Sequence, residues 1–400
     1  MSCHLPSTLT ICTYLACCLT ACDNAGGWRQ SPLPVTLIEN VHGNRRIEPR
    51  PSLDVLRPRI EYRLPASVGH LYKLSMPTAL ALDANSCTLA VADVIDRAVH
   101  LFRLDGAYRV SLYGGGRGEP VFGLSGLSSL SVQSPNLFVV STMSGAFIGF
   151  DSTGAITHTA HVPRGQRFPL GNDVLVGSDG LIYDHWLAGR ETTLTLADWS
   201  RERGLVRIWS PKGELVGRFG LVQQFPGEGL THYLNRGIVA ISDDTLWLAR
   251  RSDARILGFP LRPPGPSPAR VIDVPVFYKA ALPVEYVRSE PFEIAIRMQE
   301  HLRAFTIGPD GSFYMIQSLS WPDPTDTRAT FMPQTMVTVV GRDGRLHAAL
   351  GSDAGLGTLA VAADIIVATT SRAGKVTVVA LENPLPARSA AMRSNTGSAC

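Results

Sequence analysis

Three histidines and two arginines are the residues in this chain best suited to chemistry: His185, His232 and His301, with Arg236 and Arg303 beside the last two. Three imidazoles converging on a point suit a zinc ion with one open position. No HxH or HxxxH spacing groups these three, so they read as hydrogen-bonded loop histidines, and neither a metal nor another cofactor is expected. Asn235, Arg236 and Arg303 supply donors for an anion, such as a carboxylate or sulfate on a ligand. Structural ion pairs to Glu290 or Glu293 would satisfy the same arginines equally well. Tyr233, Tyr278 and Trp321 offer apolar walls, and a few placed polar groups among such walls are what a ligand pocket needs. No nucleophile sits in a recognisable elbow, so no Ser or Cys triad is indicated.

A second candidate chemistry fails on context. Residues 89–118 run "LAVADVIDRAVHLFRLDGAYRVSLYGGGRG". A phosphate-cradling loop needs a helix opening directly after its glycines. Here "EPVFGLSGLSSLSV" follows, with Pro120, two more glycines and no helical apolar period. The glycines therefore turn a corner between strands.

Composition narrows the partners. The 400 residues carry 37 Lys+Arg against 34 Asp+Glu, a balance that excludes a general affinity for nucleic acid. With only 18% charged residues, 37 Gly and 28 Pro, the chain suits short strands and tight turns. Cysteine use is lopsided: Cys3, Cys12, Cys17, Cys18 and Cys22 crowd the start, leaving Cys87 and Cys400. Cys87 reads as a small buried hydrophobe, and a bridge to Cys400 is open in an oxidising compartment.

The apolar run from Leu9 to Leu19 has the length of a secretory signal core and is too short to span a bilayer. "LTAC", Leu19 to Cys22, resembles the lipobox of bacterial lipoproteins, with Leu at −3 and a small residue before the cysteine. That resemblance implies a signal peptide over 1–21, lipid on Cys22, and an extracytoplasmic chain anchored to a bacterial cell membrane. Residues 22–58, rich in Gly, Pro and Arg, read as a flexible tether. Its arginines, Arg45 to Arg57 with Arg59 just beyond, are solvated.

A pattern of strand, turn, strand, break, strand, Asp-Gly-type turn and strand starts at Ala79 and returns to make six copies. Corresponding first turns fall at Asp83, Pro135, Gly180, Asp244, Gly311 and Asp364. Each copy alternates apolar and polar residues, and no single four-stranded sheet buries both faces alone. Arranged radially, each covers its neighbour. The expected fold is all-β: a six-bladed β-propeller of four-stranded antiparallel blades over 59–383, with a disordered tail over 384–400. The sixth copy lacks its fourth strand, and "RIEYRLP", Arg59 to Pro65, is available to close the ring against Lys375 to Leu381.

The arrangement of "VAD", "AVHLFRLDG", "GGGRG" and "FG" over residues 90–123 resembles an NHL repeat. The resemblance implies a six-bladed NHL-type propeller with "GGGRG" as an inter-blade corner. Gluconolactonase-like propellers hold calcium with carboxylates at the inner ends of their blades. Here those positions read Thr78, Ser128, Asn172 with Asp173, Asn235 with Arg236, Arg303 and Thr358, a poor cage for a divalent cation.

Strand order places inter-blade loops and second-to-third loops on one face, and that face receives 186–204, 220–236, 275–303 and 318–335. Long loops in a compact domain mark function. "PFEIAIRMQEHLRAF" reads as a short helix over the ring. Asn172, His185, His232, Tyr233, Asn235, Arg236, Tyr278, His301, Arg303 and Trp321 are the candidate ligand-binding residues, and Arg342 is a comparison position on the opposite face. The reading is a lipid-anchored binding module for a small molecule, peptide or protein. The alternative is a metal-dependent hydrolase or lyase at the axis.

Overall fold

The computed structural model describes residues 31–32, 54–56, 58–65, 74–83, 86–112, 127–133, 137–142, 146–161, 173–185, 204–222, 235–250, 255–265, 267–275, 285–286, 302–318, 335–352, 355–372 and 375–385. Three strands come first: β1 (Ser31–Pro32), β2 (Asp54–Val55) and β3 (Pro58–Tyr62). The first sheet is β4 (Pro77–Asp83), β5 (Thr88–Asp93), β6 (Ala98–Arg103) and β7 (Tyr108–Leu112). The second is β8 (Leu127–Gln133), β9 (Leu137–Thr142), β10 (Ala146–Asp151) and β11 (Ile156–His161). The third is β12 (Asp173–Val176), β13 (Ile182–His185), β14 (Val206–Trp209) and β15 (Leu215–Phe219). The fourth is β16 (Gly237–Ser242), β17 (Thr245–Arg250), β18 (Arg255–Pro260) and β19 (Arg270–Asp273). β20 (Glu285–Tyr286) pairs with β1. The fifth sheet is β21 (Leu302–Ile307), β22 (Phe313–Ser318), β23 (Thr335–Val340) and β24 (Leu346–Ser352), with β2 added in parallel outside β24. β25 (Gly355–Val361), β26 (Ile365–Arg372) and β27 (Lys375–Glu382) form the last sheet, with β3 outermost.

The fold is an all-β propeller of antiparallel four-stranded sheets. The expectation of six uniform four-stranded blades needs correction: five sheets have four strands, and the one built on β21–β24 has five. The extra strand comes from Asp54–Val55, inside the stretch read as a tether. Leu56 continues that contact, donating its amide to the Gly351 carbonyl at 2.9 Å. Residues ahead of β3 are drawn onto this edge because an outer strand offers unpaired N–H and C=O groups.

Period-two alternation explains the ring. In β17, Leu246 and Leu248 pack toward the third sheet while Trp247 and Ala249 pack toward the fifth. In β5, Leu89 and Val91 face the last sheet, whereas Ala90 and Ala92 face the second. Second strands are therefore buried on both sides, as the fully buried β5 shows. First strands pack side by side in the order β4, β8, β12, β16, β21, β25 and back to β4.

β3 completes the last sheet, with Val378 opposite Tyr62 and Ala380 opposite Ile60. Tyr62 then reaches into the first sheet, donating to the Leu104 carbonyl at 3.0 Å and meeting the Phe102 ring edge-on at 5.5 Å.

Short turns close the opposite face. In "GPDGS" the Gly308 amide meets the Ser312 carbonyl, the Gly311 amide meets the Gly308 carbonyl, and Gly311 takes a φ of 80° that an L side chain resists. Arg342, the comparison position, has a structural role. Its guanidinium lies 4.7 Å from the Trp247 ring centroid and 5.1 Å from that of Phe313. It also donates to the Gly311 carbonyl at 2.6 Å and to the Ser242 hydroxyl. These contacts join the fourth and fifth sheets, so Arg342 is no neutral control. Arg345 is better suited: it is mostly exposed and pairs with its near neighbour Asp343.

Candidate functional site

Each first strand starts at the face that carries the long connections. In four sheets its pairing with the second strand skips a position near that entrance: Thr78 in β4, Ser128 in β8, Arg303 in β21, and Gly357 with Thr358 in β25. These bulges fall on the positions matched in the sequence to the inner blade ends of gluconolactonase-like propellers. A bulge leaves its extra residue unpaired in the ladder and re-aims the chain, which is why bulges gather beside functional sites. Arg303 is exposed between buried Leu302 and Ala304. Thr358 is held by Thr369, whose Oγ1 accepts from its amide at 2.8 Å and meets its hydroxyl at 3.1 Å.

β12 and β16 pair without such a shift. In the fourth sheet the polar groups stand just ahead of β16 instead: Asn235 is buried and Arg236 half-buried. β16 packs beside β21, so Arg236 and Arg303 enter from neighbouring sheets.

His185 is the last residue of β13 and is fully buried. Its Nε2 lies 3.2 Å from the Asn235 carbonyl oxygen. A carbonyl only accepts, so Nε2 carries the proton and donates it, tying the third sheet to the fourth. This contact brings two of the expected site residues together, with the Asn235 main chain as the acceptor.

Asp184 and Arg207 were not picked out by sequence reasoning. They sit directly opposite each other on β13 and β14 and are 0% and 1% exposed. Arg207 donates through Nε to Asp184 Oδ2 at 2.8 Å, and through Nη2 to the same oxygen. The Arg207 guanidinium also lies 5.1 Å from the Trp209 ring centroid. The signal was present: one charged residue interrupts each apolar strand, "IYDH" and "VRIW". Arg250 and Gln317 are also buried at this end of their second strands, and Gln317 Nε2 donates to the Pro275 carbonyl at 3.1 Å.

Among the described residues, Asp93, Asp96 and His100 place three potential ligand atoms within 4.8 Å of one another. Asp93 is already engaged by backbone, accepting from the amides of Ser75, Met76, Ile95 and Asp96 at 2.6–3.1 Å. That pattern makes the "VAD" aspartate a turn-forming residue, holding the break between β5 and β6. His100 contacts Ser111 Oγ through Nδ1 at 2.6 Å. Burial pushes its pKa down, partly offset by the charges of Asp93 and Asp96.

Cys22, Asn172, His232, Tyr233, Tyr278, His301 and Trp321 lie outside the described residues, as do "GGGRG" and most of the 291–305 helix expectation. Its last residues, Leu302 to Phe305, belong to strand β21.

No family model matches the chain, and no curated protein matches it. Among solved structures it resembles a candidate exported protein from Bacteroides fragilis, with a TM-score of 0.53 and 8% identity over 84% of this chain and 98% of that one. A gluconolactonase from Xanthomonas campestris aligns at 15% identity, covering 85% of this chain and all of that one, with a TM-score of 0.47. A Bacteroides caccae protein of unknown function aligns at 9% identity over 69% of this chain and 81% of that one, with a TM-score of 0.43. The likeness to the Bacteroides fragilis protein is one of fold, which many unrelated activities share.

Proposed function

We propose that this chain is an exported binding module of the NHL-type propeller class, lipid-anchored through Cys22, that takes an anion-bearing ligand on its loop-rich face. The five-stranded sheet counts as a blade in this reading, which makes six blades around the axis. The carrying observation is the coincidence of bulges and polar residues at one end of the first strands. Exposed Arg303 and half-buried Arg236 stand there in neighbouring sheets. Arginine is suited to carboxylate and sulfate groups because its fork binds two oxygens at once. The exported character of the Bacteroides fragilis neighbour agrees with the leader reading. Among the described residues no helix is long and apolar enough to cross a membrane.

Two measurements check this. A thermal-shift panel of organic carboxylates and sulfate esters should yield a stabilising ligand for the parent. Arg236→Ala and Arg303→Ala should then each weaken binding by about 2–5 kcal/mol, as loss of a desolvated charged partner does. Arg345→Ala should bind like the parent, and equal losses in all three variants would place the site elsewhere. For the anchor, Cys22→Ser should move the protein from the membrane fraction to the soluble one. Unchanged partitioning would sink the lipobox reading.

A further inference from the structure

We propose that the axial mouth on the short-turn face docks a basic, aliphatic segment of another protein. The repeat puts one half-buried aliphatic residue at the same place in every first strand: Leu82, Val132, Val176, Ile241, Ile307 and Val361. Each stands at the short-turn end of its strand and faces an apolar partner on the second strand. Ile241 pairs with Leu246, Ile307 with Phe313 and Val361 with Ile366. Each also leans on the preceding sheet, so it is packed on one side and partly open on the other. The first strands form a closed ring, which makes these six side chains encircle the axis.

The far ends of the same strands carry Thr78, Arg303 and Thr358, polar residues suited to water. An aliphatic residue at all six near ends is therefore a pattern of this face. Apolar exposure that is clustered, in contrast to single scattered residues, marks a surface that meets another molecule.

The charge beside the mouth selects the partner. Asp243 and Asp244 form the first turn of the fourth sheet, Asp310 lies in that of the fifth and Asp364 in that of the last, and all four are exposed. These sheets are adjacent, since β16 packs beside β21 and β21 beside β25. No lysine or arginine occurs in any of the six first turns. The outer turns balance their charge instead, with Arg103 3.1 Å from Asp105 and Arg345 3.4 Å from Asp343. Arg342 approaches Asp243 only to 3.8 Å, and that carboxylate stays 88% exposed. Turn chemistry occupies one further oxygen, Asp310 Oδ1, which accepts from the Ser312 amide at 3.2 Å.

An apolar centre with a polar rim is the anatomy of a docking surface. A carboxylate arc on that rim steers basic segments in and turns acidic ones away. It also opposes acid to acid if two copies of the chain meet through this face, so a separate basic partner is the occupant that fits. The mouth lies at the opposite end of the first strands from Arg303, and its assignment does not depend on the anion-binding reading.

The probe is a fluorescein-labelled peptide of alternating lysine and leucine, titrated with the full-length protein and followed by fluorescence anisotropy. It should bind, and less tightly as salt rises. Counterparts of alternating lysine and serine, or glutamate and leucine, should each bind at least about tenfold more weakly, for want of apolar contact or of matching charge. Asp244→Asn combined with Asp364→Asn changes only exposed side chains and should weaken binding about five- to tenfold, as loss of two rim charges does. Glu61→Gln, on the outer strand β3, should bind like the parent. No binding, equal binding of the three peptides, or full affinity in the double Asn variant would overturn the proposal. So would dimerisation of the parent that the double Asn variant abolishes, which would give the mouth to a second copy. Arg236 and Arg303 are unchanged in these variants, so the carboxylate and sulfate panel tests the other face separately.

Discussion

A chain shortened to begin at Leu71 is expected to melt at least roughly 10 °C below the full-length protein, or to aggregate on expression. It loses β3, and with it the buried side chains of Tyr62 and Leu64 and the half-buried Ile60. Burying a large apolar side chain stabilises by about 1.5–3 kcal/mol, so these three contribute about 5 kcal/mol or more. The loss also leaves β27 as an open edge, and open edges recruit other chains. Starting instead at Ser52 keeps β2 and β3 and should leave Tm unchanged. Starting at Arg57 keeps β3 but removes the two-residue β2 and Leu56, so an intermediate Tm is expected. Thermal unfolding of the three chains side by side decides the matter. Equal midpoints for the Ser52 and Leu71 chains would refute the closure.

The second large effect concerns the buried pair in the third sheet. Arg207→Met is expected to destabilise by about 3–5 kcal/mol, because it leaves the Asp184 carboxylate buried without its cation. Asp184→Leu should cost a similar amount for the mirror reason. The double variant should be less destabilised than either single one, since an apolar pair of similar volume removes both desolvation penalties together. Denaturant unfolding of all four proteins gives the coupling directly. Additive losses would mean that the pair contributes no mutual stabilisation. His185 follows Asp184 in the same strand, so the double variant also tests whether the pair sets the site. Recovered stability with lost ligand binding would show that the charges position His185 and Asn235.

Several features of the fold were legible because they depend on neighbouring residues. Alternation every second residue produces strands buried on both faces wherever the polar positions drop out, as in "TLAVAD". Turn sequences such as "GPDGS" place glycine at the one position that requires a left-handed backbone. The missing fourth strand of the last copy, with a spare strand upstream, pointed to closure by β3, and the pairing of Ile60 with Ala380 follows from it. The resemblance to gluconolactonase-like propellers likewise named Thr78, Arg303 and Thr358 as inner positions.

Other features needed the tertiary structure, because they join residues far apart in the chain. Arg342 sits in an ordinary turn sequence, and only the approach of Trp247 and Phe313 makes it a link between sheets. The fifth strand of one blade arises because Asp54–Val55 meets the free edge of β24, a meeting no local pattern encodes. The bulges that skip Arg303 and Thr358 depend on how two strands register, which a list of inner positions does not contain. The amino-acid sequence by itself determined the elements, their repetition and the face that gathers the long connections, since each depends on short-range sterics and periodic burial. Burial, partner choice and strand register were decided by the folded ring. The energy of a buried charge such as Asp184, or the proton position on His185, is set by groups brought from elsewhere in the chain.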